Sequence, residues 1–307
     1  MFKLFAILFA VILDLVLGDP PNRFHPVVWM GNWLTFGRKN GPTRRRFQFG
    51  LRWTLVGMAL FTLPISILFN RFAWLQVLSP FFLKPMFAYR NLRGAALSIK
   101  QALEADDLAE ARRLLSWHLV SRDTSQLSEA EVIGATLESL AENLTDSLTA
   151  PLMAYSMGGL PAAWAYRFVN TADAMWGYRN AEFEQLGKFP AKLDDALNWL
   201  PARLTGWLLV IAAWITGADA RNAATTMLTQ HQQTPSPNAG WTMSAMAGAC
   251  DTTLDKRDTY ILRGGSQNPD LTILEQALRI ADWTAGLVII MACLFALMAS
   301  FTAKRKR

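Results

Sequence analysis

The stretch Ser121–Pro151, SRDTSQLSEAEVIGATLESLAENLTDSLTAP, sets the reading of the whole chain. It is polar and acid-lined, and it runs directly into an apolar segment. Ser128 followed by Glu131 fits a capping box that opens a helix. Glu138, Glu142 and Asp146 then recur every four residues, so a helix stacks three carboxylates on one stripe. Like charges at that spacing repel, and a solvated helix normally interleaves lysines. From Thr124 to Met175 the only positive charge is Arg167. Three aligned carboxylates point to a hard cation such as Mg²⁺, held through oxygens. An acidic solvated face is the competing explanation.

With 52% hydrophobic residues, the chain is too apolar for an ordinary soluble enzyme. The apolar residues cluster into six candidate membrane segments: 2–17, 51–69, 72–89, 152–169, 204–216 and 283–301. A full crossing needs about 17 to 25 apolar residues. Segments 51–69 and 283–301 meet that comfortably, whereas 2–17 and 204–216 are short and 72–89 carries Lys84 and two prolines. Segment 2–17 lacks a small-residue cleavage site and contains Asp14, so it is read as retained. The expectation is an all-α, polytopic membrane protein with about four to six segments, some short, broken or re-entrant. The whole chain, 1–307, reads as one domain with no linker.

Arg38, Lys39, Arg44, Arg45, Arg46 and Arg52 place the first connection on the cytoplasmic side, and the tail Lys304–Arg307 argues the same for the C-terminus. Five candidate segments separate these markers, although returning to one side requires an even number. The net charge of +6 therefore signals topology and anionic lipid, not nucleic acid. Cys250 and Cys293 lack metal-ligand spacing and read as packing residues.

Elsewhere helical spacing dominates and strand signals are weak. Residues 92–119 read as a helical hairpin turning near Asp106–Asp107. Four further motifs are polar. Leu13–Gly31 (LDLVLGDPPNRFHPVVWMG) places Asp14 inside an apolar run, a functional candidate by default, then a Gly18-Asp19-Pro20 turn and His25. Asn170–Asn180 (NTADAMWGYRN), as a helix, sets Asn170, Asp173 and Gly177 on one side with Arg179 and Asn180 at its end. Lys192–Arg203 (KLDDALNWLPAR) puts Asp194, Asp195 and Asn198 just outside the next apolar segment. Pro235–Gly248 (PSPNAGWTMSAMAG) has small residues suited to helix packing or to a flat ligand. A phosphate loop, an HExxH zinc motif and a GxSxG elbow are all missing. These features alone leave enzyme and transporter tied.

Taken in order, LDLVLGDPPNRFHPVVWMG, LVSRDTSQLSEAEV, ESLAENLTDSLTAPL, NTADAMWGYRN, LDDALNWLPARLT and PNAGWTMSAMAGA resemble the CobD/CbiB family, the adenosylcobinamide-phosphate synthases of cobalamin biosynthesis. The resemblance runs from about Leu13 to Ala281. It implies a multi-pass protein of the cell inner membrane that joins (R)-1-amino-2-propanol O-phosphate to adenosylcobyric acid using ATP and Mg²⁺. It implies no tightly bound cofactor and no nucleic acid; other corrinoid-assembly enzymes are conceivable neighbours. Matched to that chemistry, Asp123, Glu142, Asp173 and His25 are the catalytic candidates. Arg122, Asn143, Arg179, Asn180, Arg203, Asn238 and Trp241 are candidates for substrate or phosphate, and Glu138, Glu142 and Asp146 for the metal. The sequence departs from the family at Tyr260–Pro269 (YILRGGSQNP), where Gly264-Gly265 remain without the usual proline and aromatic residue. A non-catalytic corrinoid-binding or transport protein is the alternative, and a regulatory sensor related to AmpE is a distant third.

Overall fold

The structure is a computed structural model that describes residues 2–257 and 259–305. In chain order its helices are α1 (Phe2–Leu17), α2 (Pro26–Asn40), α3 (Arg46–Arg71), α4 (Ser79–Leu83), α5 (Tyr89–Glu104), α6 (Leu108–His118) and α7 (Glu129–Leu144). They continue as α8 (Ala150–Trp176), α9 (Lys188–Ile215), α10 (Ala220–Gln230) and α11 (Ala239–Ala249). A hairpin of β1 (Thr253–Lys256) and β2 (Tyr260–Arg263) follows, and α12 (Leu271–Arg305) ends the chain. Thr145–Thr149 is a π-helical turn between α7 and α8.

Helices dominate as expected, and three are long and apolar enough to cross a membrane: Arg46–Arg71, Lys188–Ile215 and Leu271–Ser300. Their 26, 28 and 30 residues exceed what a bilayer core needs. Along α3, Val56, Leu60, Leu63 and Ile67 are at least half exposed, an apolar surface that lipid can cover. The sequence segments 51–69, 204–216 and 283–301 fall on these helices. Segment 2–17 is a 16-residue helix. Segment 72–89 is not one helix but a short 3₁₀ stretch, α4 and a further 3₁₀ turn, interrupted around Pro80 and Pro85. Segment 152–169 lies in α8, which breaks at Gly159 (φ 72°) while Pro151 sits in its first turn. Of the basic tail, Lys306 and Arg307 lie outside the described residues.

One other expectation changes. The chain is not purely helical, because β1 and β2 pair antiparallel with Leu254 opposite Leu262, both fully buried. Four-residue strands carry too little alternation to declare themselves in sequence. Asp194, Asp195 and Asn198 do precede the apolar segment 204–216, in the first half of the same helix α9, which runs on through Pro201.

Contacts divide the chain into two compact units. Residues 1–88, 150–198 and 289–307 form the first, in which α3 and α2 pack on α8 and α1 packs on α4. Here Trp33 and Trp53 stack at 4.3 Å, and Gly57 admits the rings of Trp33 and Phe168, where a β-carbon would collide. Residues 89–149 and 199–288 form the second. In it α10 packs on α11, α5 on α6, and α7 carries both α11 and β1. The predicted hairpin over 92–119 is α5 and α6, turning through Asp106 (φ 57°) with Asp107 capping α6. The small residues of α11 are buried, which is the packing role their size suggested; Cys250 is also buried.

Candidate functional site

The capping box forms as read: the Ser128 hydroxyl accepts from Glu131 N–H, and the Glu131 carboxylate accepts from Ser128 N–H at 2.8 Å. Helix α7 so begun carries Glu138 and Glu142 into a pocket of about 210 Å³. Arg122 enters from the loop before α7, while Lys256 and Tyr260 come from the hairpin. Glu138 is only 6% exposed. Its Oε2 stands 3.9 Å from Arg122 Nη2, and its Oε1 is buried without a hydrogen-bond partner. Arg122 Nε is also buried and unpartnered. Burial pushes the Glu138 carboxyl up to about 7, although Lys256 and Arg122 favour its charged form. Burial and the neighbouring Glu138 and Glu142 raise the Tyr260 hydroxyl as well.

Lys256 and Tyr260 escaped sequence reasoning. The available signal was the charged tip DKRDTY between the flanking apolar pairs, but its partner lies over a hundred residues away.

The three-carboxylate stripe is not assembled as the spacing suggested. Asp146 falls in the π-helical turn, whose i→i+5 bonding breaks the four-residue recurrence, and it does not line the pocket. Among the described residues, no three His, Cys, Asp or Glu side chains are grouped to hold a metal ion. Asn143 is spent on the Ser139 carbonyl at 2.9 Å. Asp123 lies outside the pocket lining and accepts from Ser125 N and Oγ, shaping the approach to α7.

Within the first unit, two other clusters form. Asp194 accepts from Asn198 Nδ2 at 2.9 Å and Asn170 Nδ2 at 3.4 Å, and Tyr166 donates to Asn198 Oδ1 at 2.9 Å. Gly177 lies against Asp173, just past the end of α8 at Trp176. Arg179 is exposed and acts on Asp195, while Asn180 caps a turn by accepting from Glu182 and Phe183 N–H groups. The other cluster is charged and deeply placed. Lys84 reaches Asp14 at 2.9 Å and Asp19 at 2.5 Å. His25 caps α2 through Nδ1, which accepts from Val27 N–H, and turns Nε2 toward Asp19 at 3.7 Å. That geometry gives His25 a part in holding the turn.

In the second unit, Arg203, Asn238 and Trp241 do come together. Arg203 lies over Trp199 at 4.2 Å and over Trp241 at 4.8 Å, and donates to Asn238 Oδ1 at 3.4 Å.

Residues 7–297 match the family described as CobD/Cbib protein. The "Probable cobalamin biosynthesis protein CobD" of Methanothermobacter thermautotrophicus is 41% identical over 287 residues, covering 93% of this chain and 95% of the relative. The "Cobalamin biosynthesis protein CobD" of Dehalococcoides mccartyi is 40% identical over 83% of this chain and 85% of the relative. That of Yersinia enterocolitica is 38% identical over 82% of each. No solved structure matches. A match over nearly the whole length, with relatives of the same name in archaea and bacteria, shows that this chain belongs to the CobD/CbiB family.

Proposed function

We propose that this protein is an adenosylcobinamide-phosphate synthase of cobalamin biosynthesis, a multi-pass protein of the cell inner membrane. It is an ATP-dependent ligase that forms an amide between (R)-1-amino-2-propanol O-phosphate and the free propionate of adenosylcobyric acid. Family membership supports the pathway. The observation that carries the chemistry is Glu138, a buried carboxyl raised to about 7 among Arg122, Lys256 and Tyr260.

Amide formation from a carboxylate needs activation. ATP supplies it by passing its γ-phosphoryl group to the carboxylate, which leaves ADP and an acyl phosphate. The amine nitrogen then attacks the acyl carbon, and phosphate departs with the electrons of the broken C–O bond. The substrate ammonium must first lose a proton, and a carboxyl titrating near neutrality is matched to receive it. Arg122 and Lys256 suit phosphate oxygens, and their charge stabilises the anion that develops. ATP works as a Mg²⁺ complex, but the acidic stripe does not fit as a resident Mg²⁺ site. Asp146 is off the pocket, and Arg122 and Lys256 already act on Glu138 as counter-charges. In this reading any Mg²⁺ travels with the nucleotide.

The test uses purified protein with adenosylcobyric acid, aminopropanol phosphate and Mg-ATP. Amide product in step with ADP is the expected result. Corrinoid binding without turnover would overturn the ligase in favour of a carrier.

A further inference from the structure

The Glu138 pocket is bipolar. It is lined by the carboxylates of Glu138 and Glu142 and by the cations of Arg122 and Lys256, with the Tyr260 hydroxyl bonded to Glu138. Yet the pair that should close it stays open. Arg122 Nη2 and Glu138 Oε2 are 3.9 Å apart, where a hydrogen-bonded ion pair closes to about 2.7–2.9 Å. Two buried polar atoms of opposite sense are left over: Glu138 Oε1, an acceptor, and Arg122 Nε, a donor. Buried polar atoms are rarely left unpaired without a reason, and a ligand is one such reason.

A metal ion would satisfy only the acceptor, and an inorganic anion only the donor. A ligand with a positive and a negative end satisfies both. The volume of about 210 Å³ is small beside the roughly 300–1,000 Å³ of pockets that take drug-sized ligands, so neither a nucleotide nor a corrin fits inside. We propose that this pocket takes a short amino-alcohol O-phosphate, its ammonium on Glu138 and Glu142 and its phosphate on Arg122 and Lys256. The inference rests on the ligase reading for the identity of the amine, and it assigns that substrate to a place. The carboxylates come from α7, and the cations from the loop before it and from the hairpin, so the spacing of the ligand's two charges is checked by tertiary structure. A longer or shorter amino-alcohol phosphate would leave one end unpaired, which is the basis of specificity at a polar site.

Calorimetric titration of the full-length protein in detergent tests this with four probes: 1-amino-2-propanol O-phosphate, isopropyl phosphate, 1-amino-2-propanol and magnesium chloride alone. The zwitterion should bind at least about 10-fold more tightly than either half-ligand, since each end contributes a charged hydrogen bond. Glu138→Gln should weaken the zwitterion about 10-fold or more and leave isopropyl phosphate unchanged. Lys256→Ala, a change at a half-buried hairpin position, should weaken both phosphates. Equal losses for zwitterion and isopropyl phosphate in both variants would overturn the assignment, as would Mg²⁺ binding that Glu138→Gln abolishes. Turnover separates the two claims. Product formation with an unchanged KM for the amine in both variants removes the pocket assignment and leaves the ligase standing. Zwitterion binding that responds to both variants, without product from the wild type, removes the ligase and leaves the pocket.

Discussion

Glu131 holds Arg257 across 126 residues of sequence, pinning the tip of the β-hairpin to the first turn of α7. The same carboxylate serves two partners: Oε1 takes the Arg257 guanidinium, while Oε2 accepts from Ser128 N–H and Oγ at 2.8 Å. Lys256, the next residue, thereby faces the pocket that α7 supplies. Arg257 is 57% exposed at its side chain, so the pair adds little to global stability, on the order of 0–1 kcal/mol. Arg257→Ala is expected to leave the unfolding temperature nearly unchanged and to raise KM for the phosphorylated amine several-fold. A KM equal to that of the wild type would show that the hairpin holds Lys256 without this pair.

Glu142→Gln keeps size and helical propensity and removes the carboxylate at the exposed edge of the pocket. Turnover at low amine concentration should fall by about 10-fold or more, as loss of a charged partner does. The Mg²⁺ concentration for half-maximal rate should stay where it is in the wild type. A shift of that concentration upward would restore the acidic stripe as a metal site.

Asp19 gives a pH-dependent prediction. Burial alone would raise its carboxyl, but hydrogen bonds from His25 and Lys84, with the charge of Lys84, hold it down to about 2. A depressed carboxyl contributes stability that is complete above its unfolded value near 3.8 and is lost as pH falls through about 2. The difference in unfolding free energy between wild type and Asp19→Asn should therefore be constant from pH 7 to 5, at most about 2 kcal/mol by linkage. It should shrink between pH 4 and 2. A difference that persists unchanged at pH 2.5 in detergent-solubilised protein would deny the ion pair its role.

Two glycines separate packing from propensity. A β-carbon on Gly264 would strike the Ala247 backbone, so the hairpin exit lies directly on α11. Gly264→Ala should cost about 1–3 kcal/mol, because backbone has to move. Gly94 lies in α5 and faces open space where a methyl group would sit, so Gly94→Ala should stabilise by about 0.5–1 kcal/mol. Thermal unfolding of both variants checks the contrast, and equal shifts would refute it.

What the sequence determined by itself was local. Ser128 and Glu131 announced the start of α7 because a capping box needs only four consecutive residues, and Asp106–Asp107 marked the α5–α6 turn for the same reason. The apolar runs 51–69 and 283–301 announced two helices of membrane-crossing length, since length and composition suffice for that, whereas 204–216 read as short because the helix that carries it begins with the polar residues from Lys188. Glu138 and Glu142 were legible as neighbours on one face, four residues apart.

Tertiary structure decided the rest. Whether the third acid, Asp146, stayed on that face depended on a π-helical turn that no spacing rule foresees. Whether Glu138 met Lys256 and Tyr260 depended on strands too short to show a period, of which β1 packs on α7. That His25 caps α2 was not visible in sequence, because it depends on the fold aiming its Nδ1 at Val27 N–H. A side chain's identity is fixed by the chain, but its charge state and role depend on burial and on partners distant in sequence, and folding alone supplies those.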